Sequence, residues 1–538
     1  MSAGSPATST TTTPPRETPA GGFSRPARAV ILAAALVCAA CGLVYELALI
    51  ALGSYLIGDT VVQASIVVSV MVFAMGIGSL LAKPLQRWPA VAFVVVESLL
   101  ALTGGSAVLL LYRAFAVTDL YTPLMIVLAT FIGVLIGAEI PLLMTMLQRI
   151  RAQDAGSAVA DMFAADYLGA LLGGLAFPFL LLPTFGLVRG TIAAGVLNLV
   201  AGTVVVAWLF RRTVSRRGWS VIVALVAAVG VVLTVLLVRA DDIEVDARQR
   251  LFRDPIVHAE RSEYQEIVLT ERRRLSGADD LRLFLNGDLQ FASPDEYRYH
   301  ESLVHPAMAG SRERVLVLGG GDGLALREIL RYPDVAAVTL VELDPAVLEL
   351  ARTDDGVRAL NLDAFADERV EAFAADAFGW VREHREAGAE PYDVVVVDMP
   401  DPDSTATSKL YSLEFYGMVR DLVAEDGRMV VQAGSPYFAP RSHASIRATV
   451  TAAGFGVTPY LASVPSFGDW GFLLATPGTA SGPPLALPGG APPLRYLSED
   501  VLRAATAFPP DRVVTDAEVS TLLDPVVLEY VREEWQTY

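Results

Sequence analysis

The chain has very little cysteine and no cluster of histidine and cysteine. Its only two cysteines, Cys38 and Cys41, lie inside an apolar run. A Cys-x-x-Cys spacing can serve redox chemistry or hold a metal, but no second ligand pair accompanies it in the sequence. Buried small side chains are therefore the better interpretation. The sequence accordingly predicts no metal site.

Charged residues, and basic ones above all, are also scarce. They make up 19% of the sequence, whereas about a quarter is usual. Lys and Arg number 41 against 59 Asp and Glu, and the net charge is −18. Because no basic stripe is available to meet phosphates, nucleic acid is excluded as a partner, whereas cationic small molecules are favoured. At 538 residues the chain is too long for one core, which predicts at least two domains.

Long apolar segments are abundant before residue 240. Residues 1–28 are rich in Ser, Thr, Pro and Ala, which predicts a disordered tail. The apolar runs that follow cover 30–52, 61–82, 89–112, 122–147, 159–183, 187–210 and 219–238. Each reaches the roughly 20 residues that a membrane-crossing helix needs. The sequence thus predicts a multi-span α-helical membrane bundle over 29–239 in a cell membrane, with seven spans favoured and six or eight as alternatives.

Acidic residues occur inside these runs. They are Glu46, Glu97, Glu139, Asp161 and Asp166. An ionised group in mid-bilayer costs about 2.5–3.5 kcal/mol on insertion scales, so these side chains should face the bundle interior. They either line a path for a cation or form hydrogen bonds between helices, and both interpretations stay open.

The connecting loops bear on orientation. Basic residues collect in the N-terminal tail and in three alternate loops, after the second, fourth and sixth runs. The positive-inside rule places the N-terminus in the cytoplasm, and seven spans then place everything after residue 240 outside. The chemistry inferred below uses a metabolite made in the cytosol. We therefore expect a cytoplasmic catalytic domain, with one apolar run re-entrant or miscounted.

From residue 240 the composition is that of a soluble domain. Alternating residues and the Asn286-Gly287 pair predict a small antiparallel β layer over 240–312. Ser293-Pro294 predicts a helix start. Strand–helix alternation over 313–476 predicts a Rossmann-like, methyltransferase-like doubly wound sheet. Its predicted strands lie near 314–319, 337–342, 369–373, 393–398, 428–432 and 470–475. Residues 477–538 are predicted to form a linker and two C-terminal helices.

Three predicted strands end in glycine or in carboxylates. The turn Gly319–Gly323 contains Asp322, and an acid there would repel a pyrophosphate. Glu342 closes the next strand, where a carboxylate can accept both hydroxyls of a ribose. Asp398 and Asp401 follow a strand of four valines, and they would repel each other unless a cation lay between them. The pattern favours a nucleoside beside an organic cation.

With these residues in place, 264–475 resembles the catalytic domain of the spermidine synthases, the polyamine aminopropyltransferases. The whole chain is similar to bacterial members with a multi-span N-terminal region. The matching pieces are Tyr264-Gln265, residues 285–301, Gly319–Gly323, Glu342, Asp376, Asp398–Pro402, Phe415-Tyr416 and Gln432. The resemblance implies transfer of an aminopropyl group from decarboxylated S-adenosylmethionine to putrescine, which gives spermidine and 5′-methylthioadenosine.

The resemblance also implies roles for single residues. Asp398 is implied as the proton acceptor, and Tyr299 as the hydroxyl that orients the amine. The implied amine-binding residues are His300, Asp322 and Asp401. The implied contacts of the nucleoside cosubstrate are Gln265, Glu342, Asp376 and Ala377. No cofactor or metal is implied, and members of the family commonly form dimers or tetramers.

Departures from the family pattern lie mainly at the acceptor end. Met399-Pro400 stand between the paired acids, Thr405 replaces a proline, and Phe467 stands where an aromatic hydroxyl is common. Ala377 replaces a glycine on the nucleoside side.

The chief alternative function is a membrane transporter or sensor that binds a polyamine or nucleoside without turnover. Methyl transfer is disfavoured, because Asp322 would repel the carboxylate of ordinary S-adenosylmethionine.

Overall fold

The computed structural model describes residues 25–57, 60–118, 120–150, 155–273, 279–478 and 481–535. The chain divides into two compact units, Met1–Leu251 and Phe252–Tyr538. Residues 1–24 of the expected tail lie outside the described part. The predicted tail is wrong for residues 25–28, because the first helix already begins at Arg25. Arg28 forms an ion pair with Asp161, which stabilises this first helical turn.

The first unit is a bundle of helices. They are α1 (Arg25–Ile57), α2 (Thr60–Leu85), α3 (Pro89–Val117), α4 (Tyr121–Ile150), α5 (Ala155–Ala176), α6 (Leu182–Leu209) and α7 (Arg216–Leu251), with a π-helical turn (Phe177–Leu181) between α5 and α6. Six continuous helical stretches among the described residues are long and apolar enough to cross a membrane. The fifth stretch, Val159–Leu209, contains both α5 and α6.

The chain reverses direction inside that fifth stretch. Gly186 has φ 68° and ψ −177°, a conformation that only glycine adopts at low cost. Beyond it, Gly190 lies beside Leu181, whose Cβ would be 3.8 Å from a Cβ placed on the glycine. In a straight helix these residues would be about 13.5 Å apart along the axis. The stretch is therefore two helices joined by a sharp bend.

Close contacts between helices set their directions. The contacts are Gly169 with Leu36 and Gly173 with Ala40 (α5 and α1), Gly104 with Tyr45 and Glu97 with Cys38 (α3 and α1), Gly195 with Ala101 and Gly202 with Glu97 (α6 and α3), and Gly218 with Val91 and Gly105 with Leu233 (α7 and α3). The odd-numbered helices run parallel, whereas α6 runs against them. All seven predicted runs thus lie in helices, although six continuous stretches have the length and hydropathy of a membrane span. The number of spans and the expected re-entrant or miscounted run stay predictions. The end of α7 lies at the opposite end of the bundle from the start of α1.

The second unit begins with an antiparallel sheet. Its strands, hydrogen-bonded in chain order, are β1 (Ile256–Arg261), β2 (Glu266–Arg272), β3 (Asp280–Leu285) and β4 (Asp288–Ala292). Asn286 and Gly287 both have positive φ, at 52° and 95°, as a tight hairpin turn requires. The predicted β layer is therefore present, with β1 as an additional strand. Its predicted start at residue 240 is wrong, because α7 continues to Leu251 and the second unit begins at Phe252.

A larger mixed sheet follows. Its strands are β5 (Arg314–Gly319), β6 (Ala337–Glu342), β7 (Val370–Ala374), β8 (Tyr392–Asp398), β9 (Val423–Gln432), β10 (Phe455–Val464) and β11 (Gly468–Pro477), in the spatial order β10-β11-β9-β8-β5-β6-β7. The strands β9-β8-β5-β6-β7 are parallel, which confirms the Rossmann-like core. The sequence did not predict β10, which pairs antiparallel with β11. Pro459 lies within it, and proline is tolerated on such an edge strand.

Helices cover both faces of this sheet. They are α8 (Glu296–Val304), α9 (Leu324–Ile329), α10 (Pro345–Thr353), α11 (Asp355–Asn361), α12 (Ala377–Glu386), α13 (Thr405–Ser408), α14 (Leu413–Arg420), α15 (Pro440–Ala452), α16 (Glu499–Ala505) and α17 (Val526–Trp535). The predicted helix start at Pro294 is wrong, since α8 begins at Glu296 after Asp295. Instead of capping the helix, the Asp295 carboxylate accepts hydrogen bonds from the backbone and hydroxyl of Ser466. The two expected C-terminal helices are α16 and α17.

Candidate active site

The carboxyl ends of three adjacent parallel strands bring the predicted acids together. In the sheet register Gly319 at the end of β5 pairs with Asp398 at the end of β8. On the other side of β5, Leu318 pairs with Val341, the residue before Glu342. The crevice of a doubly wound fold lies at this edge. Residues far apart in the sequence therefore share one site.

The glycine turn after β5 allows the backbone to approach both acidic strand ends. Gly319 has φ 86°, and a Cβ there would lie 2.0 Å from the carbonyl oxygen of Asp398. A Cβ on Gly321 would lie 2.7 Å from Oε2 of Glu342. Gly321 N instead donates a 3.2 Å hydrogen bond to that oxygen. The absence of side chains at these two positions is thus a steric requirement.

Asp398 is paired with a tyrosine from another element. Tyr299 on α8 donates a hydrogen bond of 2.6 Å to Oδ1 of Asp398. Burial raises the pKa of Asp398 to about 6, His300 opposes this, Asp322 adds to it, and the tyrosine hydrogen bond lowers it. Phe467 contacts the Tyr299 ring at 6.0 Å between centroids. Near neutral pH the carboxylate is ionised and able to take a proton.

Asp401 lies on the loop after β8 and is held from β9. Gln432 donates from Nε2 to Oδ1 of Asp401 at 3.2 Å and to the carbonyl of Met399 at 2.6 Å. Trp470 donates to Oε1 of the same glutamine at 3.1 Å. Burial raises the pKa of Asp401 to about 7, Gln432 opposes this, and the nearby Asp403 and Asp288 add to it.

Asp322 and His300 lie beside Asp398. Asp322 accepts a 2.8 Å hydrogen bond from Leu324 N, and burial raises its pKa against the opposing effect of His300. His300 places Nδ1 3.0 Å from Oε2 of Glu296, which in turn pairs with Arg327. Burial alone would lower the pKa of His300, but the Glu296 carboxylate outweighs it and raises the pKa.

Glu342 and Gln265 converge on one further residue. Oε1 of Glu342 accepts a 3.0 Å hydrogen bond from Asp344 N. Gln265 donates from Nε2 to Oδ2 of Asp344, also at 3.0 Å. Burial raises the pKa of Glu342 to about 7, opposed by the hydrogen bonds from Asp344 and Gly321. Sequence reasoning assigned no role to Asp344, although the Asp344-Pro345 pair at a helix start is a recognisable N-cap signal.

Asp376 and Ala377 begin α12. Asp376 caps this helix by accepting from Gly379 N at 3.1 Å. Its other carboxylate oxygen lies 2.9 Å from Nζ of Lys409. Ala377 is buried beneath it. Sequence reasoning missed Lys409, because no local pattern indicates that a residue after the acidic loop reaches α12.

Two more acids extend the negative lining on the Asp401 side. Asp288 begins β4 and Asp403 follows the loop proline, and both keep exposed surface at the rim. Desolvation by the neighbouring residues raises the pKa of Asp288 to about 6, and the negative charge of Asp403 adds to this increase. Sequence reasoning missed both residues, although Asp403 lies only two positions beyond Asp401. The arrangement gives this end a chain of carboxylates suited to an extended polycation.

Comparisons with known proteins identify the family that this chain resembles. A family model for the spermine/spermidine synthase domain matches residues 296–481. Polyamine aminopropyltransferase 1 of Streptomyces coelicolor is 57% identical over 524 residues, which are 97% of this chain and 98% of that protein. The polyamine aminopropyltransferase of Mycobacterium tuberculosis is 49% identical over 517 residues, or 94% of this chain and 97% of that protein.

Among solved structures, the spermidine synthase from Thermotoga maritima is 24% identical and covers 53% of this chain and 88% of its own, with a TM-score of 0.41. The family assignment depends on the curated relatives, whose matches cover 94–97% of this chain and so include both the helical unit and the α/β unit. The chain belongs to the polyamine aminopropyltransferase family.

Proposed function

We propose that this protein transfers an aminopropyl group from decarboxylated S-adenosylmethionine to putrescine, with spermidine and 5′-methylthioadenosine as products. The observation that carries the proposal is the hydrogen bond between Tyr299 and Asp398 at the carboxylate-lined edge of the sheet. The names of the curated relatives support the activity. No cofactor or metal takes part in the proposed reaction.

The reaction begins with a proton transfer. A protonated amine has no lone pair, so the attacking nitrogen of putrescine must first lose a proton. Asp398, with a pKa near 6, accepts that proton, while the Tyr299 hydroxyl orients the nitrogen. The amine then forms a C–N bond to the aminopropyl carbon. The C–S bond breaks, and its electron pair remains on sulfur as a neutral thioether.

Electrostatics decides where the carboxylates must stand. The sulfonium is positive in the ground state and loses its charge in the transition state, so an anion directly at sulfur would slow the reaction. Carboxylates instead bind the amines and align attacker, carbon and sulfur. Asp322 and Asp401 are proposed to bind the amine groups. A cationic His300 would repel an ammonium, so we assign it to positioning Asp322 and Asp398, whose pKa values it affects.

The nucleoside is proposed to bind on the other side of the glycine turn. Glu342 accepts the ribose hydroxyls, as carboxylates at this strand end do in other doubly wound folds. Gln265 contacts the methylthioadenosine portion, and Asp376 with Ala377 lies beside adenine. Displacement of Lys409 from Asp376 would free a carboxylate oxygen for the adenine amino group.

We propose that the helical unit crosses a lipid bilayer. Large apolar side chains cover its outside, among them Phe73 at 73% exposure and Phe179 at 78%, and an exposed apolar surface of this extent favours lipid. The basic loops follow α2, α4 and α6 in the chain, whereas the α/β unit follows α7. We place the α/β unit in the cytoplasm because its cosubstrate is made there, although this arrangement opposes the positive-inside rule.

The activity is tested with the full-length chain in detergent. Incubation with decarboxylated S-adenosylmethionine and putrescine should release methylthioadenosine and spermidine in equal amounts, as measured by chromatography. Absence of both products, with the nucleoside still bound, would favour the binding protein without turnover. A reporter fused after Tyr538, active only in the cytoplasm, tests the proposed side. Subunit number, expected to be two or four from the family, is measured by light scattering.

A further inference from the structure

A cluster that the proposed reaction does not use lies inside the helical bundle. Sγ of Cys38 and a carboxylate oxygen from each of Glu97 and Glu139 lie within 4.8 Å of one another. The three residues come from α1, α3 and α4, and all are buried, at 0%, 0% and 3% exposure. In the sequence, Cys38 has only Cys41 as a neighbouring metal ligand. In the structure, two further ligands, Glu97 and Glu139, come from two other helices.

Further buried oxygens at this cluster have no hydrogen-bond partner among the described residues. They are Oε1 of Glu97 and Oδ1 of Asn198. Asn198 is fully buried and places its amide against the cluster, since Nδ2 donates to Oε2 of Glu97 at 2.6 Å. An unpaired buried polar group costs about 1–3 kcal/mol, which favours a ligand that these oxygens would bind.

The donor set identifies the class of that ligand. Sulfur disfavours Mg²⁺ and Ca²⁺, which take oxygen ligands, whereas thiolate with carboxylate suits zinc and similar divalent ions. In tetrahedral coordination, zinc bonds of about 2.0–2.3 Å place ligand atoms about 3.3–3.8 Å apart. The three ligand atoms, now within 4.8 Å of one another, would therefore have to move closer by about 1–1.5 Å through side-chain rotation. A divalent cation would also compensate a thiolate and a carboxylate that are otherwise costly to ionise in a membrane interior.

We propose that Cys38, Glu97 and Glu139 form a binding site for a divalent metal ion of the zinc class inside the bundle, and that Asn198 positions Glu97. The site is independent of aminopropyl transfer and gives the helical unit a ligand of its own. It also gives a role to Glu97 and Glu139, two of the acids that lie within the apolar runs of the sequence.

The test uses the full-length chain without a polyhistidine tag, purified in detergent and stripped with a chelator. Equilibrium dialysis against Zn²⁺ should give about one ion per chain. Titration with Co²⁺ should give a thiolate-to-cobalt charge-transfer band. Replacement of a ligand, as in Cys38→Ser, Glu97→Gln or Glu139→Gln, should weaken metal binding at least tenfold, and Cys38→Ser should remove the band.

Two matched variants serve as controls. Cys41→Ser changes the neighbouring thiol and Glu46→Gln changes another acid of α1, and both should retain zinc and the cobalt band. Elution as a single species in size-exclusion chromatography confirms that each variant is folded. Failure of the wild-type chain to bind zinc or cobalt would overturn the proposal, as would equal binding by Cys38→Ser. In either case the cluster would be a neutral hydrogen-bonded network.

Discussion

Tyr299 donates a 2.6 Å hydrogen bond to Oδ1 of Asp398, a residue 99 positions away in the chain. The tyrosine is on α8, which precedes the parallel sheet in the chain, and the aspartate ends the central strand β8. The aromatic ring is also fixed against Phe472 at 5.2 Å between centroids. The hydroxyl is therefore held in one orientation at the end of the sheet, where it can direct the carboxylate and an incoming amine together.

Asp398→Asn should lower kcat by about 10²–10⁴-fold, the range that general base catalysis contributes. The amide keeps the shape of the side chain but cannot take a proton from the amine. Methylthioadenosine affinity, measured by calorimetry, should change by less than threefold. An unchanged kcat would exclude Asp398 as the base.

Tyr299→Phe should lower kcat roughly 10–100-fold, because a hydrogen bond to a charged group contributes about 1.5–3 kcal/mol. The lost bond lowers the pKa of Asp398 in the wild type, so the acidic limb of the pH–rate profile should move to higher pH. Tyr460→Phe is the matched control, since its hydroxyl donates to the carbonyl of Ser302 at 2.8 Å, outside the site. Equal effects of the two variants would indicate only loss of packing.

The rate should fall as the pH drops through about 7 to 6. Asp401 and Asp398 have pKa values raised by burial to about 7 and about 6, and both carboxylates must be ionised to bind and deprotonate the amine. A profile of kcat/KM for putrescine measures this limb. Asp401→Asn should remove the upper ionisation, so that the limb of its lower residual activity lies nearer pH 6. An acidic limb below pH 5 would contradict these assignments.

Asp401→Asn should also change the pH dependence of stability. The folded pKa of about 7 lies above an unfolded value of about 3.9, so protonation stabilises the folded wild type. That contribution is complete below pH 4 and is lost as the pH rises through 7. The variant does not titrate there, so its melting temperature should exceed that of the wild type at pH 8 and match it near pH 4. A constant difference across this range would contradict the raised pKa.

Asp403→Asn should raise KM for putrescine several-fold and leave the affinity for methylthioadenosine unchanged. Its carboxylate belongs to the acidic rim with Asp288 and Asp401, whereas the nucleoside is proposed to bind at Glu342. Asp421→Asn is a matched control, because Asp421 is an exposed acid paired with Arg385. An increase in KM for the control as well would indicate a general effect of charge.

Local pattern predicted most elements of both units. The Asn286-Gly287 turn, the valine strand before Asp398 and the glycine turn after β5 each carry their signal within a few neighbouring residues. Apolar runs likewise predicted every bundle helix. The errors occur where contacts with residues distant in the sequence determine the local structure. The Asp295 carboxylate binds Ser466 rather than capping its helix. The unpredicted β10 is an edge strand that contains Pro459.

The sequence by itself determined the division into an apolar helical half and an α/β half, the succession of the parallel strands β5 to β9 along the chain and the acids at their ends. These features depend on periodicity, turn residues and composition, which are local. Only the tertiary structure decided that Lys409 reaches Asp376, that the chain reverses at Gly186, and that Cys38 meets Glu97 and Glu139. Such contacts depend on how separate elements pack, and the spacing of residues along a chain does not encode the distance between two helices.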